Sequence, residues 1–255
     1  MDTNIGLSVL IAAKDEELTI AEVVKSHFSV LQVTEYPINW DIGVLDDGSS
    51  DSTFTVLTEL QKQFPELKIW HNDNPSGIAN AFKQLAENAQ HEWIYITSGD
   101  GQFPAEGLEK MIQAWFANPI ATLGVRSSRF SSYGPFRSVI SYVFRITTRV
   151  LFGIDLRDPG SVKIIEKDVA HSRLRSTSTM RDAEQLAIAY QSFGGIQFVE
   201  IPFSQRTTGK SSGVRLGNLI SNSLDIIRLI PTARKLTRNS LIHRTHLNKS
   251  RIQKN

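Results

Sequence analysis

Short apolar runs alternate with segments of helical periodicity through the first half of the chain, and this alternation restricts the fold more than any other feature. Seven runs have the length of a strand, at about 6–13, 40–45, 67–71, 92–97, 120–125, 161–165 and 196–203. The segments between the early runs repeat apolar residues three and four apart, at 16–33, 51–63, 77–90 and 105–117. Successive strand–helix units predict an α/β fold, with a mostly parallel sheet flanked by helices.

Within the first helical segment, the apolar side chains fall roughly on one face, which we expect to be buried. They are Leu18, Val23, Val24, Phe28 and Leu31. The second half of the chain is less regular, with helices predicted at 135–152, 181–193 and 215–230. We therefore predict one large domain over 1–214, followed by an amphipathic helix and a basic tail over 215–255.

The composition excludes several classes of site. The chain has no cysteine, which rules out disulfides and thiolate metal sites and is compatible with a reducing compartment. The sequence contains no metalloprotease, Walker or serine-hydrolase motif. It also lacks an apolar run of 18 residues, which argues against a transmembrane helix. The N-terminal run is predicted to be a first strand and not a signal peptide, because acids follow it directly and no basic segment precedes it.

Charge is unevenly distributed, although the net charge is only +2. After Asp225 the chain has no further acid, and eight lysines and arginines follow. Such a tail is typical of a solvated terminus, or of a segment attracted to anionic lipid. Nucleic-acid binding is the weakest interpretation, because no aromatic residue is interleaved with these charges.

Polar clusters follow four of the predicted strands, at the edge where parallel sheets bind ligands. They read AKDEE, DDGSSDST, HNDNPSG and SGDGQFP. In the second cluster, Asp46 and Asp47 have the chemistry to accept hydrogen bonds from a base and a ribose. The alternative is a turn followed by a helix cap, with Ser50, Asp51 or Ser52 as the capping residue.

The series LIAAKDEELTIAEVV, VLDDGSSDST, NPSGIANAFKQLAENA and YITSGDGQFP resembles glycosyltransferase family 2, whose members have the GT-A fold and use nucleotide sugars. Later blocks, including GVRSSRF and VEIPFSQRTTGKSSG, look closest to the polyprenyl-phosphate enzymes of the dolichol-phosphate mannose synthase type. The resemblance covers about residues 6–230. It implies an inverting transferase that uses a GDP- or UDP-linked sugar and a divalent cation, Mg²⁺ or Mn²⁺.

The resemblance also implies roles for single residues on the donor side. Asp46 and Asp47 would read base and ribose, and Gly77 and Asn80 would open a helix over the nucleotide-sugar cleft. Four residues would line the nucleoside pocket: Ala12, Ala13, Asp15 and Glu16. A loop closing over the diphosphate would contain Arg206, Lys210 and Ser211.

The fourth cluster carries the family's metal motif, here Ser98-Gly99-Asp100-Gly101-Gln102. The resemblance implies that Asp100 and the side-chain oxygen of Gln102 bind the cation. We interpret Gly99 and Gly101 as space for phosphate oxygens to approach the backbone. Ser98 departs from the family, which usually has a carboxylate there. Its hydroxyl predicts weaker or altered metal binding, and it raises the alternative of an inactive nucleotide-sugar-binding homologue.

On the acceptor side, three arginines and a serine recur every four positions along the predicted helix 135–152 and so form one stripe: Arg137, Ser141, Arg145 and Arg149. No acid occurs between Glu109 and Asp155, so we expect these arginines to lack helical partners. An unpaired stripe suits a phosphate-bearing ligand, whereas the alternative is a solvated basic face. The resemblance implies that Arg126 and Arg137 hold an acceptor phosphate.

The last candidates are Asp182 and Glu184, near the start of the helix at 181–193. Either is a possible general base for a hydroxyl acceptor, whereas Asp182 also suits a helix N-terminus as a stabilising charge. The sequence thus predicts a polyprenyl-phosphate glycosyltransferase that lies in the cytoplasm, peripherally at the inner face of the membrane. The alternatives are a transferase that extends a cell-surface glycan precursor, or the inactive homologue.

Overall fold

The computed structural model describes residues 5–127, 135–171, 174 and 180–204, and it describes side chains for all of these except 135–141, 171 and 180. Seven strands form one sheet in the order β3-β2-β1-β4-β6-β5-β7. They are β1 Gly6–Ala13, β2 Asn39–Asp46, β3 Lys68–His71, β4 Trp93–Ser98, β5 Thr122–Arg126, β6 Lys163–Glu166 and β7 Gln197–Ile201.

Seven helices accompany the strands among the described residues. They are α1 Ile20–Val33, α2 Thr53–Gln63, α3 Ile78–Asn88, α4 Ala105–Ala117, α5 Pro135–Phe152, α6 Lys167–His171 and α7 Met180–Phe193. α1 packs beside α2 and α4, and α3 packs against α6. The predicted α/β fold is confirmed. The short helix α6 was missed, because five residues are too few to show a helical period.

The described residues fall into two compact units. The first contains 5–127, 161–171 and 196–204, and so holds the whole sheet with α1–α4 and α6. The second contains 135–160, 174 and 180–195, and so holds α5 and α7. The predicted extension at 215–255 lies outside the described residues.

Strand direction determines where the polar clusters meet. β1 pairs in parallel with β2 and β4, and β2 pairs in parallel with β3. β6 is antiparallel to both of its neighbours, which restores β5 and β7 to the direction of β4. The carboxyl ends of all strands except β6 therefore lie at one edge of the sheet. The order reverses between β1 and β4, and such a switch point is where open α/β sheets bind ligands.

The core is built around β1, whose eight residues are all buried. Its one polar residue, Ser8, is satisfied, because its hydroxyl donates to Asp41 and accepts from the backbone of Gln90 and His91. Buried aromatic side chains, including Phe28, Tyr95 and Trp115, fill the space between sheet and helices. Burying each large apolar side chain contributes about 1.5–3 kcal/mol.

The prediction of a continuous apolar face beginning at Leu18 was wrong at that residue. Val23, Val24, Phe28 and Leu31 are buried, whereas Leu18 is 74% exposed. The reason is local: α1 begins only at Ile20, so Leu18 lies in the preceding turn, where helical spacing does not apply.

One buried histidine lies between α1 and β4. His27 is 1% exposed, its Nδ1 lies 2.7 Å from the carbonyl oxygen of Val23, and its ring centroid lies 6.1 Å from that of Tyr95. Its Nε2 has no hydrogen-bond partner within the described part of the chain. Burial lowers the pKa of His27 below 6.5, because the interior disfavours the charged ring.

This shift predicts a pH-dependent stability. Since protonation of His27 is easier in the unfolded chain, the free energy of unfolding should fall as pH drops through about 6.5, by at most about 1.4 kcal/mol per pH unit for this one group. His27→Phe should remove that component and flatten the profile. Urea denaturation of both proteins between pH 7.5 and 5.5 measures it, and parallel profiles would show that His27 contributes nothing.

Candidate functional site

The carboxyl end of β1 holds the site together through two backbone hydrogen bonds. The carbonyl of Ala12 accepts from the N–H of Gly99 at 2.8 Å, and the carbonyl of Ala13 accepts from the N–H of Asp47 at 2.9 Å. These bonds extend the pairing of β1 past the ends of β4 and β2. The turn after β4 and the turn after β2 therefore lie on either side of the same two alanines.

The turn after β1 is locked to the turn after β2 by reciprocal contacts. Asp15, with φ of 53°, accepts hydrogen bonds from the backbone and hydroxyl of Ser50, and its own N–H donates to Ser49. The N–H of Glu16 donates to Thr53 at 2.8 Å. The Ser50 and Lys14 contacts hold the pKa of Asp15 below its ordinary value. Asp15 and Glu16, both predicted pocket residues, thus contact the second cluster directly.

Asp47 organises the loop between β3 and α3. Its Oδ1 accepts from Asn72 Nδ2 and from the N–H and hydroxyl of Ser76, and its Oδ2 accepts from the N–H of Gly77, all at 2.7–2.9 Å. Burial alone would raise the pKa of Asp47, but these hydrogen bonds to the charged form hold it below its ordinary value. Gly77, with φ of 86°, then forms the N-cap of α3.

Asp46 is fully buried, at 0% exposure. One of its oxygens accepts from the backbone and hydroxyl of Ser49, and the other lies 2.7 Å from His71 Nδ1. The side chain of Phe54 packs against the His71 ring, with centroids 4.3 Å apart. The structure thus places Asp46 beneath the turn, where it holds Ser49 and His71 in position. His71 was not among the predicted site residues, although its place at the end of β3 is visible in the sequence.

The predicted cap of α2 is made by Asp51, one of the three expected residues. Ser52 is the N-cap residue, but its side chain makes no capping hydrogen bond. Asp51 instead accepts from the N–H of Thr53 at 2.9 Å and from its hydroxyl at 2.6 Å. Asp51 also accepts from the N–H of Glu17, so the same carboxylate joins the first and second clusters.

The turn after β4 presents one oriented carboxylate. Oδ1 of Asp100 accepts from the Ser98 hydroxyl at 2.6 Å and from the N–H of Gln102 at 3.1 Å. Within the described residues, no hydrogen bond reaches Oδ2 of Asp100 or the side-chain amide of Gln102. Ser98, in the place of the family's usual carboxylate, therefore serves to hold Asp100.

The interpretation of Gly99 as space for a ligand was wrong. A Cβ at this position would lie 2.8 Å from Ile20 Cδ1 and 3.3 Å from Ala13 Cβ, so the space is already filled by α1 and β1. Gly101 differs, because its φ of 69° is a backbone conformation that favours glycine, and an added Cβ would meet nothing closer than 3.9 Å. Gly99 is small because α1 packs against it.

Arg126 ends β5 at the same edge of the sheet. Its guanidinium carbon lies 4.9 Å from the ring centroid of Phe203, and Phe203 packs edge-on against Phe103, with centroids 5.3 Å apart. The N–H of Ser204 donates to the carbonyl of Gln102 at 2.9 Å. The residues that follow β7 therefore contact both Arg126 and the turn that carries Asp100.

In the second unit, the expectation that the basic stripe is unpaired was wrong for Arg145. Its guanidinium forms a two-pronged ion pair with Asp155, which lowers the pKa of Asp155 and raises the pKa of Arg145. The chain turns back after α5 at Gly153, with φ of 71°, and brings Asp155 beside the helix. Sequence separation along the helix alone did not reveal this partner.

The remaining predicted residues are distributed as follows. Asp182 lies in the first turn of α7 and is partly exposed, whereas Glu184 is 1% exposed. Arg137 lies on α5, but its side chain is outside the described residues, as are Arg206, Lys210 and Ser211. No group of three or more histidines or acids suited to a metal occurs in the described part of the chain. Asp100 and Gln102 lie together in the turn after β4, as the sequence predicts.

Comparison with known proteins agrees with this architecture. The sequence profile described as glycosyl transferase family 2 matches residues 8–173. The chain belongs to glycosyltransferase family 2. Among the residues that the structure describes, no helix is both long enough and apolar enough to cross a membrane.

Two relatives of this chain have names that refer to different lipids. It is 28% identical over 125 residues to a beta-monoglucosyldiacylglycerol synthase of Trichormus variabilis, a match covering 48% of this chain and 26% of the relative. It is 24% identical over 160 residues to a dolichol-phosphate mannosyltransferase of Pyrococcus furiosus, covering 61% and 44%. The chain thus spans less than half of either relative.

A solved structure with the same fold is glucosyl-3-phosphoglycerate synthase of Mycobacterium tuberculosis, in complex with Mn²⁺, UDP-glucose and phosphoglyceric acid. Its TM-score is 0.62 at 14% identity, over 90% of this chain and 79% of the other. The predicted GT-A fold is confirmed by this likeness.

The packing of Gly99 gives a direct test of the site's construction. Gly99→Ala should destabilise the protein by about 1–3 kcal/mol, because the new methyl group meets Ile20 Cδ1 and Ala13 Cβ. Ile20→Val removes the Cδ1 atom, so the double variant should be more stable than the two single costs predict. A double-mutant cycle by urea denaturation measures the coupling, and additive costs would contradict this account.

Proposed function

We propose that the chain is an inverting glycosyltransferase that moves a sugar from a nucleoside-diphosphate sugar to a polyprenyl phosphate at the cytoplasmic face of a membrane. The observation that carries the transferase part is the oriented carboxylate of Asp100 at the switch point between β1 and β4. Family 2 membership supports the reaction class, and the Mycobacterium structure with UDP-glucose supports a nucleotide-sugar donor.

The residues of the β4 turn fit a divalent cation, Mg²⁺ or Mn²⁺. Mg²⁺ in phosphate-transfer sites is typically held by one or two carboxylates together with the substrate's own phosphate oxygens. Oδ2 of Asp100 and the side-chain oxygen of Gln102 are the hard donors available here. The bound ion would stabilise negative charge on the diphosphate. With Ser98 neutral, the site has one negative charge fewer than the usual family motif.

Residues of the first three polar clusters would hold the loops that surround the nucleotide sugar. Asp47 fixes the loop before α3 through four hydrogen bonds, so that Gly77 and the first turn of α3 stay at the rim of the cleft. Asp15 and Glu16 hold the β1 turn against the β2 turn, which keeps the nucleoside pocket preformed. We propose that Arg206, Lys210 and Ser211 complete it over the diphosphate.

In the transfer step, an oxygen of the acceptor phosphate bonds to the anomeric carbon as the bond from that carbon to the diphosphate oxygen breaks. The bonding electrons leave on the nucleoside diphosphate. An ionised phosphate oxygen needs no general base near neutral pH. With this acceptor, the role of Asp182 is to stabilise the N-terminus of α7 by its negative charge. Arg126 at the end of β5 would hold the acceptor phosphate.

The surface of α5 supports contact with a membrane. Tyr142, Ile146 and Val150 are spaced four residues apart and are all exposed. Arg145 and Arg149 lie on the adjoining side of the helix, and both are exposed. An apolar stripe flanked by cations suits the headgroup region of an anionic bilayer. The pairing of Arg145 with Asp155 leaves Arg149 as the stronger candidate for a lipid phosphate.

A second candidate function is transfer to a hydroxyl acceptor, such as a glycan precursor or a diacylglycerol. The observation that favours it is the name of the Trichormus relative, a beta-monoglucosyldiacylglycerol synthase, since the product in that name carries its sugar on a diacylglycerol. A hydroxyl acceptor requires a base, and Asp182 is then the first candidate. The third possibility, a nucleotide-sugar-binding homologue without turnover, is motivated by Ser98.

A transfer assay tests the proposal. The full chain is incubated with Mn²⁺ and radiolabelled UDP-glucose, UDP-N-acetylglucosamine or GDP-mannose, with undecaprenyl phosphate, diacylglycerol or 3-phosphoglycerate as acceptor. We expect label in undecaprenyl phosphate, as the β-anomer. Asp100→Asn should lower kcat by about a hundredfold or more, since it removes the charged donor. Asp168→Asn is the matched control and should leave kcat unchanged, because Asp168 is exposed and follows β6, whose carboxyl end lies at the opposite edge of the sheet.

The other results of this assay separate the alternatives. Transfer to diacylglycerol but not to undecaprenyl phosphate would overturn the lipid-phosphate proposal and favour a base such as Asp182. Absence of transfer to any acceptor, with donor binding retained, would contradict turnover and favour the inactive homologue.

A further inference from the structure

We infer that Phe203 is a positioning residue that holds Arg126 in place and links it to the turn carrying Asp100. The inference rests on the proposed function for its substrate side, since Arg126 is the proposed phosphate ligand. The contacts of Phe203 with Arg126 and Phe103 all lie within the first unit. Phe203 was not among the site residues predicted from the sequence.

The first observation is the placement of the arginine. The guanidinium carbon of Arg126 lies 4.9 Å from the centroid of the Phe203 ring, within the range of a cation–π contact. The guanidinium carbon lies over the ring of Phe203. A guanidinium group carries five N–H donors, so an arginine held by a cation–π contact can also donate hydrogen bonds to a phosphate.

The second observation is how the backbone delivers the ring. β7 pairs in parallel with β5, with Arg126 opposite Ile201, and the N–H of Ser127 donates to the carbonyl of Ile201 at 3.0 Å. Phe203 follows β7 by two residues and so leaves the sheet beside the end of β5. The ring of Phe203 also contacts Phe103 edge-on, with centroids 5.3 Å apart.

The third observation joins this pair to the donor side. The N–H of Ser204 donates to the carbonyl of Gln102 at 2.9 Å, and Gln102 in turn donates its N–H to Asp100. The segment 202–204 thus contacts both the turn that carries Asp100 and the arginine proposed to bind the acceptor.

Three substitutions distinguish positioning from simple packing. Phe203→Leu keeps an apolar side chain but removes the aromatic face, whereas Phe203→Tyr keeps the face and should restore the contact. Phe198→Leu is the matched control, because Phe198 is an exposed phenylalanine on β7 that pairs with Leu123 and not with Arg126. We expect Phe203→Leu to raise the KM for undecaprenyl phosphate about five- to tenfold, because one cation–π contact is lost, and to leave the Kd of the donor unchanged. Phe203→Tyr and Phe198→Leu should stay within about twofold of wild type, because both keep the contact with Arg126.

A second readout needs no substrate. In the ¹⁵N-labelled protein, the Arg126 Nε–H signal, assigned by its loss in Arg126→Lys, should be shifted upfield by the Phe203 ring. Phe203→Leu should abolish that shift and Phe203→Tyr should keep it. This measurement decides the contact even when the chain transfers sugar to no acceptor, so failure of the proposed function is distinguishable from failure of this inference.

Two results would overturn the inference. An Arg126 signal that is the same in wild type and Phe203→Leu would show that the ring does not hold the arginine. A lost signal shift with an unchanged acceptor KM would show that the contact has no positioning role in binding the acceptor.

Discussion

The carbonyl oxygens of Ala12 and Ala13 determine the position of both polar turns on which the candidate site depends. One accepts from Gly99 and the other from Asp47, so the end of a fully buried strand fixes the turn after β4 and the turn after β2. Because β1 lies at the centre of the parallel part of the sheet, a shift of this strand would displace both turns together. The positions of the two turns therefore depend on the packing of β1 in the core.

Buried carboxylates extend this rigidity away from the strand. Asp47 collects four donors from the loop before α3, and Asp46 engages Ser49 and His71 from below. A buried carboxylate that lost these donors would pay a desolvation cost of several kcal/mol, so the loops are held close to one arrangement. Asp100 differs from both, because only one of its oxygens is held by described residues. Asp100 is therefore the one of these three carboxylates that we propose binds the cation.

Much of the fold was predictable, because strand-length apolar runs and helical spacing are local properties of the sequence. The polar clusters follow predicted strands, so their meeting at one edge of the sheet was also predictable. What the sequence did not reveal depends on contacts between distant residues. Gly99 is small because Ile20 packs on it, and Arg145 finds its partner in Asp155 only after the chain reverses at Gly153. Phe203 was overlooked because an aromatic residue after a strand carries no signal of a neighbouring arginine.

Asp100 is the charged group that we propose binds a nucleotide sugar together with a cation. Calorimetric titration of UDP-glucose and GDP-mannose into the full chain, in Mn²⁺ or in EDTA, tests this most directly. We expect one donor to bind in Mn²⁺, to bind at least tenfold more weakly in EDTA, and to lose its Mn²⁺ dependence in Asp100→Asn. Ser98→Asp should increase that dependence, because it restores a second carboxylate. Equal affinity with and without Mn²⁺ in the wild-type protein would contradict the central claim.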